Sequence, residues 1–205
     1  MKKLLLIASL GFMVSCGTEQ DPGETVKTVA AETQENIMAD YFALGEKISG
    51  ETQAALLANV SSAVKKTGFH GAVDYCNERA IPLTDSFAKK YNVHIQRLSV
   101  KNRNAINALA NSDDQQAWDQ LATMLKDSTI TAKHLIRNNG DGSIVYYKAM
   151  TIAMPTCISC HGDTKKDIAA ETLKAISDKY PNDKATGYKM GDFRGMWKIK
   201  FNQEI

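Results

Sequence analysis

The sequence has 205 residues, of which 43% are hydrophobic and 23% charged, a globular composition that excludes a wholly disordered chain. Its net charge of +2 disappears if residues 1–15 are removed, because Lys plus Arg then number 25 − 2 = 23, equal to the 23 Asp plus Glu. A near-neutral chain lacks the basic excess of nucleic-acid-binding proteins, so we expect no nucleic-acid partner.

The N-terminus has the features of an export signal. Lys2 and Lys3 precede an apolar run from Leu4 to Val14, and Ser15-Cys16 follows. At about 11 residues, the run is shorter than the roughly 18 to 20 that cross a bilayer. Met-Val-Ser-Cys resembles a bacterial lipobox, so we predict a lipoprotein signal peptide over 1–15; the alternative is plain secretion.

The resemblance to a lipobox predicts acyl chains on Cys16, which would anchor the protein firmly to a membrane. We therefore expect a lipid-anchored protein of the bacterial cell envelope, with its domain on the periplasmic or outer side. Gly17 rather than Asp after the cysteine resembles the outer-membrane pattern. Residues 16–34 are polar and predict a flexible tether, and 35–205 a single domain.

Helices dominate the first part of this domain. Apolar residues recur at helical spacing from Glu35, Gly50 is expected to interrupt them, and a second helix ends at Lys65-Lys66-Thr67-Gly68. A short third helix from Phe69 places Cys76 on its apolar face. Pro82 is expected to open a fourth helix that reaches about Tyr91.

Strands dominate the second part. We predict strands over 93–100, 132–137 and 143–153, the last two forming a hairpin about the turn Asn138-Asn-Gly-Asp-Gly142. Helices are predicted from Ser112 or Asp113 through Leu125 and over 168–180. The last strand alternates, with Trp197, Ile199 and Phe201 on one face and Lys198 and Lys200 on a solvated one. Helices followed mainly by strands favour the α+β class.

Cys157-Ile-Ser-Cys160-His161 is the motif that carries chemistry. On a helix its two cysteines and its histidine lie on one side of one turn. CxxCH is the attachment signature of c-type haem, in which both thiols bond to the haem and the histidine binds the iron. We therefore predict one covalent haem c on Cys157 and Cys160, with His161 as an axial ligand.

Two alternatives stay open for the motif. A structural zinc site needs four ligands, and only Cys76 could complete the set formed by Cys157, Cys160 and His161. A catalytic disulfide of the thioredoxin type usually lies near a βαβ pattern, whereas this motif follows a hairpin.

The second axial position has several candidates. Of four cysteines, Cys16 is assigned to lipid and two belong to the motif, which leaves Cys76 unexplained in an exported protein. The other candidates are histidines and methionines, each more often a surface or core residue than a ligand: His70, His94, His134, Met150, Met154, Met190 and Met196.

Four blocks of the chain resemble, in order, those of one family, the exported single-haem c-type domains of unknown function with a PAS-like core and Cys/His axial ligation. The blocks are GAVDYCNERAIPL (71–83), VHIQRLSVKNRNAINA (93–108), VYYKAMTIAMPTCISCHGD (145–163) and YPNDKATGYKMGDFRGMWKIKF (180–201). The resemblance covers residues 35 to 203, and the Tyr-Pro-x-Asp-x-Ala-x-Gly-Tyr and Gly-Asp-x-Arg-Gly segments carry more of it than CxxCH does.

The resemblance implies N-terminal helices packed on a PAS-like antiparallel sheet, with the CxxCH haem segment inserted between late strands. It also implies that Cys76 is the second axial ligand. Gln96 and Ala105 depart from residues that the family often has, in a loop that would meet the haem propionates. By charge, the candidate propionate partners are Arg97, Lys101, Arg103 and Arg194; solvated surface charge is the other interpretation.

A thiolate ligand favours ferric iron, so we expect a low reduction potential. Because no output domain is attached, we favour electron transfer or redox poise with a separate redox partner protein. The alternative is a redox or gas sensor (NO, CO or O2) that acts through a partner. Peroxide reduction is a third class; the sequence shows no distal acid–base pair that supports it, although His70 and His94 stay open as candidates, and we expect no enzyme.

Overall fold

The structure is a computed structural model that describes residues 22–131, 133–138 and 142–202, with the side chains of 22–33 left out. The chain divides into two compact units, Met1–Asn36 and Ile37–Ile205. The predicted signal peptide and Cys16 lie outside the described residues. The first helix begins at Pro22, so the predicted tether over 16–34 includes helical residues.

Helix α1 spans Pro22–Tyr91. The prediction that Gly50 interrupts the helix is wrong, because the helix continues through this residue. One glycine destabilises a helix by only about 1 kcal/mol. The break lies at Gly68, whose φ of 73° is left-handed and suits glycine. Pro82 lies inside the helix and does not start a new one.

In the described residues after α1, three further helices and four strands follow. They are β1 (Val93–Leu98), α2 (Ser112–Lys126), β2 (His134–Asn138), β3 (Ile144–Thr151), α3 (Pro155–His161), α4 (Ala170–Lys179) and β4 (Phe193–Phe201), with a 3-10 turn at Ala105–Asn107. The strands form one antiparallel sheet in the order β1-β4-β3-β2. The predicted α+β class is confirmed.

Helix α1 packs on one face of the sheet. Tyr41 and Ile48 of α1 join Tyr146, Trp197 and Ile199 of the strands in one buried cluster. The backbone of α1 at Gly45 lies close to the ring of Tyr146 on β3. A Cβ atom added to Gly45 would lie 2.5 Å from this ring. Only glycine fits there without a shift of the helix or the ring.

Helix α2 covers the opposite face. Its Trp118 and Leu121 pack against Val145, Tyr147 and Met196, the strand residues that alternate with the first cluster. Asn111 caps α2 with a side-chain hydrogen bond of 2.9 Å to the Asp114 amide, in place of the predicted Ser112 or Asp113.

The predicted solvated face of β4 is wrong at Lys198. Its side chain is only 14% exposed, and its ammonium lies 2.7 Å from Asp114 of α2, which is fully buried. Tyr147 donates a second hydrogen bond of 3.0 Å to the same carboxylate. A buried lysine requires such a partner, which the sequence of β4 alone does not reveal.

No described helix is long and apolar enough to span a membrane.

Candidate haem site

The CxxCH motif lies on α3, which follows β3 and precedes β4 through α4. Met154 caps the helix in an extended conformation and Pro155 opens it, where a missing amide proton costs nothing. Cys157 and His161 are therefore i, i+4 on one short helix, with Cys160 beside them. The helical condition on which the motif interpretation depended is met.

A turn from residues 185 to 188 fixes the end of α3. The amides of Tyr188 and Gly187 donate to the carbonyls of His161 (2.9 Å) and Gly162 (2.7 Å), groups that a helix end leaves without partners. Gly187 has a φ of 74°, which lets the chain turn back onto the helix.

The same turn orients the imidazole of His161. Its Nδ1 lies 2.8 Å from the carbonyl oxygen of Ala185. Because a carbonyl only accepts, Nδ1 must carry the proton, and Nε2 then holds the lone pair. This is the hydrogen bond that typically orients a metal-binding histidine.

Burial keeps this imidazole neutral. It lowers the pKa of His161 well below its usual range, and the nearby guanidiniums of Arg194 and Arg103 lower it further. The hydrogen bond to Ala185 acts in the opposite direction without reversing the shift. A neutral imidazole with a free Nε2 is the form that binds iron.

Cys76 of α1 lies in the electrostatic neighbourhood of the motif. The pKa of Cys160 is raised to about 11, mainly by burial; the positive charge of Arg103 opposes this shift, and the negative charges of ionised Cys76 and Cys157 add to it. Burial likewise raises the pKa of Cys76, while Arg97 and Arg103 oppose the shift. The remote cysteine and the motif are therefore both under the electrostatic influence of Arg103.

Neither alternative for the motif gains support from this geometry. Cys76, Cys157 and Cys160 are all free thiols. Within the described ranges, no group of three or more His, Cys, Asp or Glu side chains is arranged to hold a metal ion directly. The donors fit a haem better, since covalent attachment needs free thiols and axial binding needs an imidazole with an available Nε2.

Arg103 joins three segments around the motif. Its guanidinium pairs with both oxygens of Asp183, at 3.1 and 3.2 Å, and donates to the carbonyls of Cys160 (2.7 Å) and Ala185 (3.3 Å). Arg103 and Asp183 are only 13% and 9% exposed. Because these contacts use its Nε and one terminal nitrogen, Arg103 is a clamp on α3 rather than a free cation.

Arg194 and Arg97 are different. Neither guanidinium lies within salt-bridge distance of a carboxylate in the part of the chain that the structure describes. Burial lowers the pKa of both groups. Arg97 interacts through charge with Cys76 and Tyr180, and the Nε of Arg194 is buried without a described hydrogen-bond partner.

The other sequence candidates for an axial ligand have different surroundings. Met196 and Met150 belong to the cores on the two faces of the sheet, and His134 stacks on Phe42 at 4.3 Å. The remaining four are exposed or surface-paired: His70, which lies 3.5 Å from Glu171, together with His94, Met154 and Met190. Among these candidates in the described part of the chain, Cys76 is the one whose charge acts on a motif residue, Cys160.

Sequence reasoning missed three parts of the site: the Ala185 carbonyl, Asp183 and Tyr188. They lie in the Tyr-Pro-x-Asp-x-Ala-x-Gly-Tyr segment, which carried much of the family resemblance without an assigned role. The resemblance of this segment to the family was the sequence feature that could have indicated a role in the site. Its contacts with α3 depend on the fold.

Comparison with known proteins places the chain in a family. A family model described as Tll0287-like (Tll0287) matches residues 23–202. Among solved structures, the chain is similar to the cyanobacterial heme-protein Tll0287, with 21% identity, a TM-score of 0.54, and coverage of 90% of this chain and 98% of that one. No protein of curated function matches significantly. The chain belongs to the Tll0287-like family.

Proposed function

We propose that the protein is a c-type haem-binding lipoprotein that transfers electrons or holds a redox poise in the cell envelope. In this proposal Cys157 and Cys160 attach one haem, and His161 and Cys76 are its axial ligands. The observation that carries it is the Nδ1 hydrogen bond of His161 to Ala185, which leaves Nε2 available on the same turn as both thiols. The heme content named for the structurally similar family member agrees with it.

A bound haem supplies a one-electron iron couple at this position. The protein's contribution is to hold the ligands. Ala185 fixes the tautomer of His161, while Arg103 and Asp183 hold α3 against residues 183–185. Rigid ligands limit reorganisation when the oxidation state changes, which suits an electron carrier.

Cys76 sets the expected potential. As a thiolate it would add a negative charge that favours the ferric state. The guanidiniums of Arg97 and Arg103 act on this thiol by charge and favour its ionised form against burial. We therefore expect a midpoint potential well below that of a His/Met cytochrome c.

Mass spectrometry and optical spectroscopy test the proposal on full-length protein made in a host equipped for cytochrome c maturation. We expect one covalent haem, lost in the variant C157A/C160A, and a near-infrared band of thiolate-bound low-spin haem in the oxidised protein. A polypeptide without the added haem mass would refute haem attachment.

The variant Cys76→Met tests the second ligand. Removal of the thiolate should raise the midpoint potential and abolish the near-infrared band. His70→Asn, an exposed change on the same long helix, is the matched control and should leave both unchanged. A strongly positive wild-type midpoint would contradict thiolate ligation.

Arg97 favours a second function, sensing of redox state or of a small gas through a partner protein. If Cys76 left the iron on reduction, the guanidinium of Arg97, whose charge acts on this thiol, would be a candidate donor to a bound gas molecule. Stopped-flow mixing of the ferrous protein with CO and NO separates the two functions. Fast binding that slows in Arg97→Gln favours sensing, and inert six-coordinate iron favours electron transfer.

The anchor and the fold detail belong to the same proposal. We propose lipidation at Cys16, export to the envelope with the outer membrane favoured, a PAS-like sheet, and no enzymatic turnover. Labelling with a radioactive fatty acid should mark the wild type and spare Cys16→Ala. Peroxide turnover by the purified protein would contradict the non-enzymatic assignment.

A further inference from the structure

Two buried polar groups beside the CxxCH helix have no hydrogen-bond partner among the described residues: the hydroxyl of Tyr188 and the Nε of Arg194. The whole Tyr188 residue is only 6% exposed. An unpaired buried polar group costs roughly 1 to 3 kcal/mol, so native proteins rarely leave two in one place. Such a pair indicates that the protein binds something there.

Both groups are held rigidly. The Tyr188 amide donates to the His161 carbonyl at 2.9 Å, and the two rings meet edge to face with centroids 6.3 Å apart. The guanidinium carbon of Arg194 lies 5.4 Å from the Tyr188 ring centroid, and one terminal nitrogen donates to the Lys101 carbonyl at 3.3 Å. The two donors are therefore neighbours of each other and of the candidate iron ligand.

The positive charge around these two donors favours an anionic ligand. Asp183 is already paired with Arg103, and the structure offers Arg194 no carboxylate of its own within the described segments. Lys101 adds another cation 4.3 Å from the Tyr188 ring, although its ammonium donates to the Thr186 carbonyl at 2.5 Å. A hydroxyl donor, a guanidinium and a cationic surround match a carboxylate, which only accepts hydrogen bonds.

We propose that Tyr188 and Arg194 anchor a propionate carboxylate of the haem, one oxygen accepting from the hydroxyl and the other from Nε. This inference rests on the proposed function and sharpens it. Of the four cations that the sequence offered as propionate partners, it selects Arg194. It sets aside Arg103, which clamps Asp183, and Lys101, whose ammonium is bonded to Thr186.

The test uses the full-length chain in the C157A/C160A background, so that haem affinity can be measured without covalent attachment. Hemin and its dimethyl ester, in which both propionates are blocked, are titrated into the parent and into the variants Tyr188→Phe and Arg194→Gln. Each variant should lose about tenfold of its hemin affinity, as expected for a charge-assisted hydrogen bond, while ester affinity stays almost unchanged.

Tyr91→Phe and Arg137→Gln are the matched controls. Tyr91 bonds Glu51 and Arg137 bonds Gln120, and none of these four residues belongs to the described site. Neither control should change the preference for hemin over its ester.

Equal losses for hemin and its ester would show that Tyr188 and Arg194 only pack, and unchanged affinity would show that they do not contact the haem; either result overturns the proposal. If the background variant binds no hemin, resonance Raman of the covalent holoprotein decides. The propionate bending band should shift in Tyr188→Phe and Arg194→Gln, and an unshifted band overturns the anchor. Haem mass in the wild type reports separately on the proposed function.

Discussion

Buried polar groups under α2 and buried polar groups around α3 differ in whether they have hydrogen-bond partners within the fold. Under α2, the fully buried carboxylate of Asp114 is paired with Lys198 and Tyr147. Around α3, the hydroxyl of Tyr188 and the Nε of Arg194 are buried without a described partner. The buried carboxylate under α2 has its partners within the fold, whereas the two donors beside α3 have none among the described residues. A third buried atom that lacks a partner within the described ranges, Oγ1 of Thr172 on α4, has no structural explanation.

The largest effect should follow from breaking the satisfied pair. Asp114→Ala leaves the Lys198 ammonium buried without its counterion and removes the acceptor of Tyr147. We expect the free energy of unfolding to fall by about 3 to 5 kcal/mol, measured by urea denaturation. Asp113→Ala, an exposed change one residue earlier on α2, should cost well under about 1 kcal/mol. Equal losses in the two variants would contradict the comparison.

Close packing between α1 and the sheet gives the next largest effect. Gly45→Ala puts a methyl group 2.5 Å from the Tyr146 ring, and we expect a loss of about 1 to 3 kcal/mol in unfolding free energy. Gly50→Ala is the matched control on the same helix, because nothing lies within 4 Å of its added carbon. It should stabilise the protein by roughly 0.5 to 1 kcal/mol. A stabilising Gly45→Ala would refute the close contact.

Much of the fold follows from local patterns. The alternation of β4, the hairpin about Asn138 and the break at Gly68 are all present where the sequence predicts them. The failures have a common cause. Whether Gly50 interrupts a helix, and whether Lys198 meets water, depends on partners supplied by distant segments, and these are not encoded in local spacing.

The site divides in the same way. Cys157, Cys160 and His161 come together through spacing on one turn, so their grouping was predictable. Cys76 lies on α1, and three strands separate it in the sequence from the motif on α3. Local spacing therefore does not predict its charge effect on Cys160; only the cysteine count and the family resemblance suggested a link. The contacts of Ala185, Tyr188 and Arg194 were out of reach, because they exist only once residues 183–194 fold back onto α3.

The smallest effect concerns His161 and sharpens the contrast between the two regions. In haem-free protein its pKa is well below the usual value, so the folded state stays unprotonated where the unfolded state, near pH 6.5, takes up a proton. Stability should therefore fall as pH drops below about 6.5, with a slope of at most about 1.4 kcal/mol per pH unit. His134, whose pKa burial also lowers, adds to the slope in the same direction.

Urea denaturation between pH 5 and pH 7 measures this slope on wild type, His161→Gln and His134→Gln. Each variant should flatten it, His161→Gln more strongly, because His161 is the more deeply buried ring and has the larger shift. His70→Asn replaces an exposed histidine and should leave the slope unchanged. An unchanged slope in His161→Gln would mean that the pKa of His161 is the same in the folded and the unfolded chain, which would contradict the burial effect assigned to this imidazole.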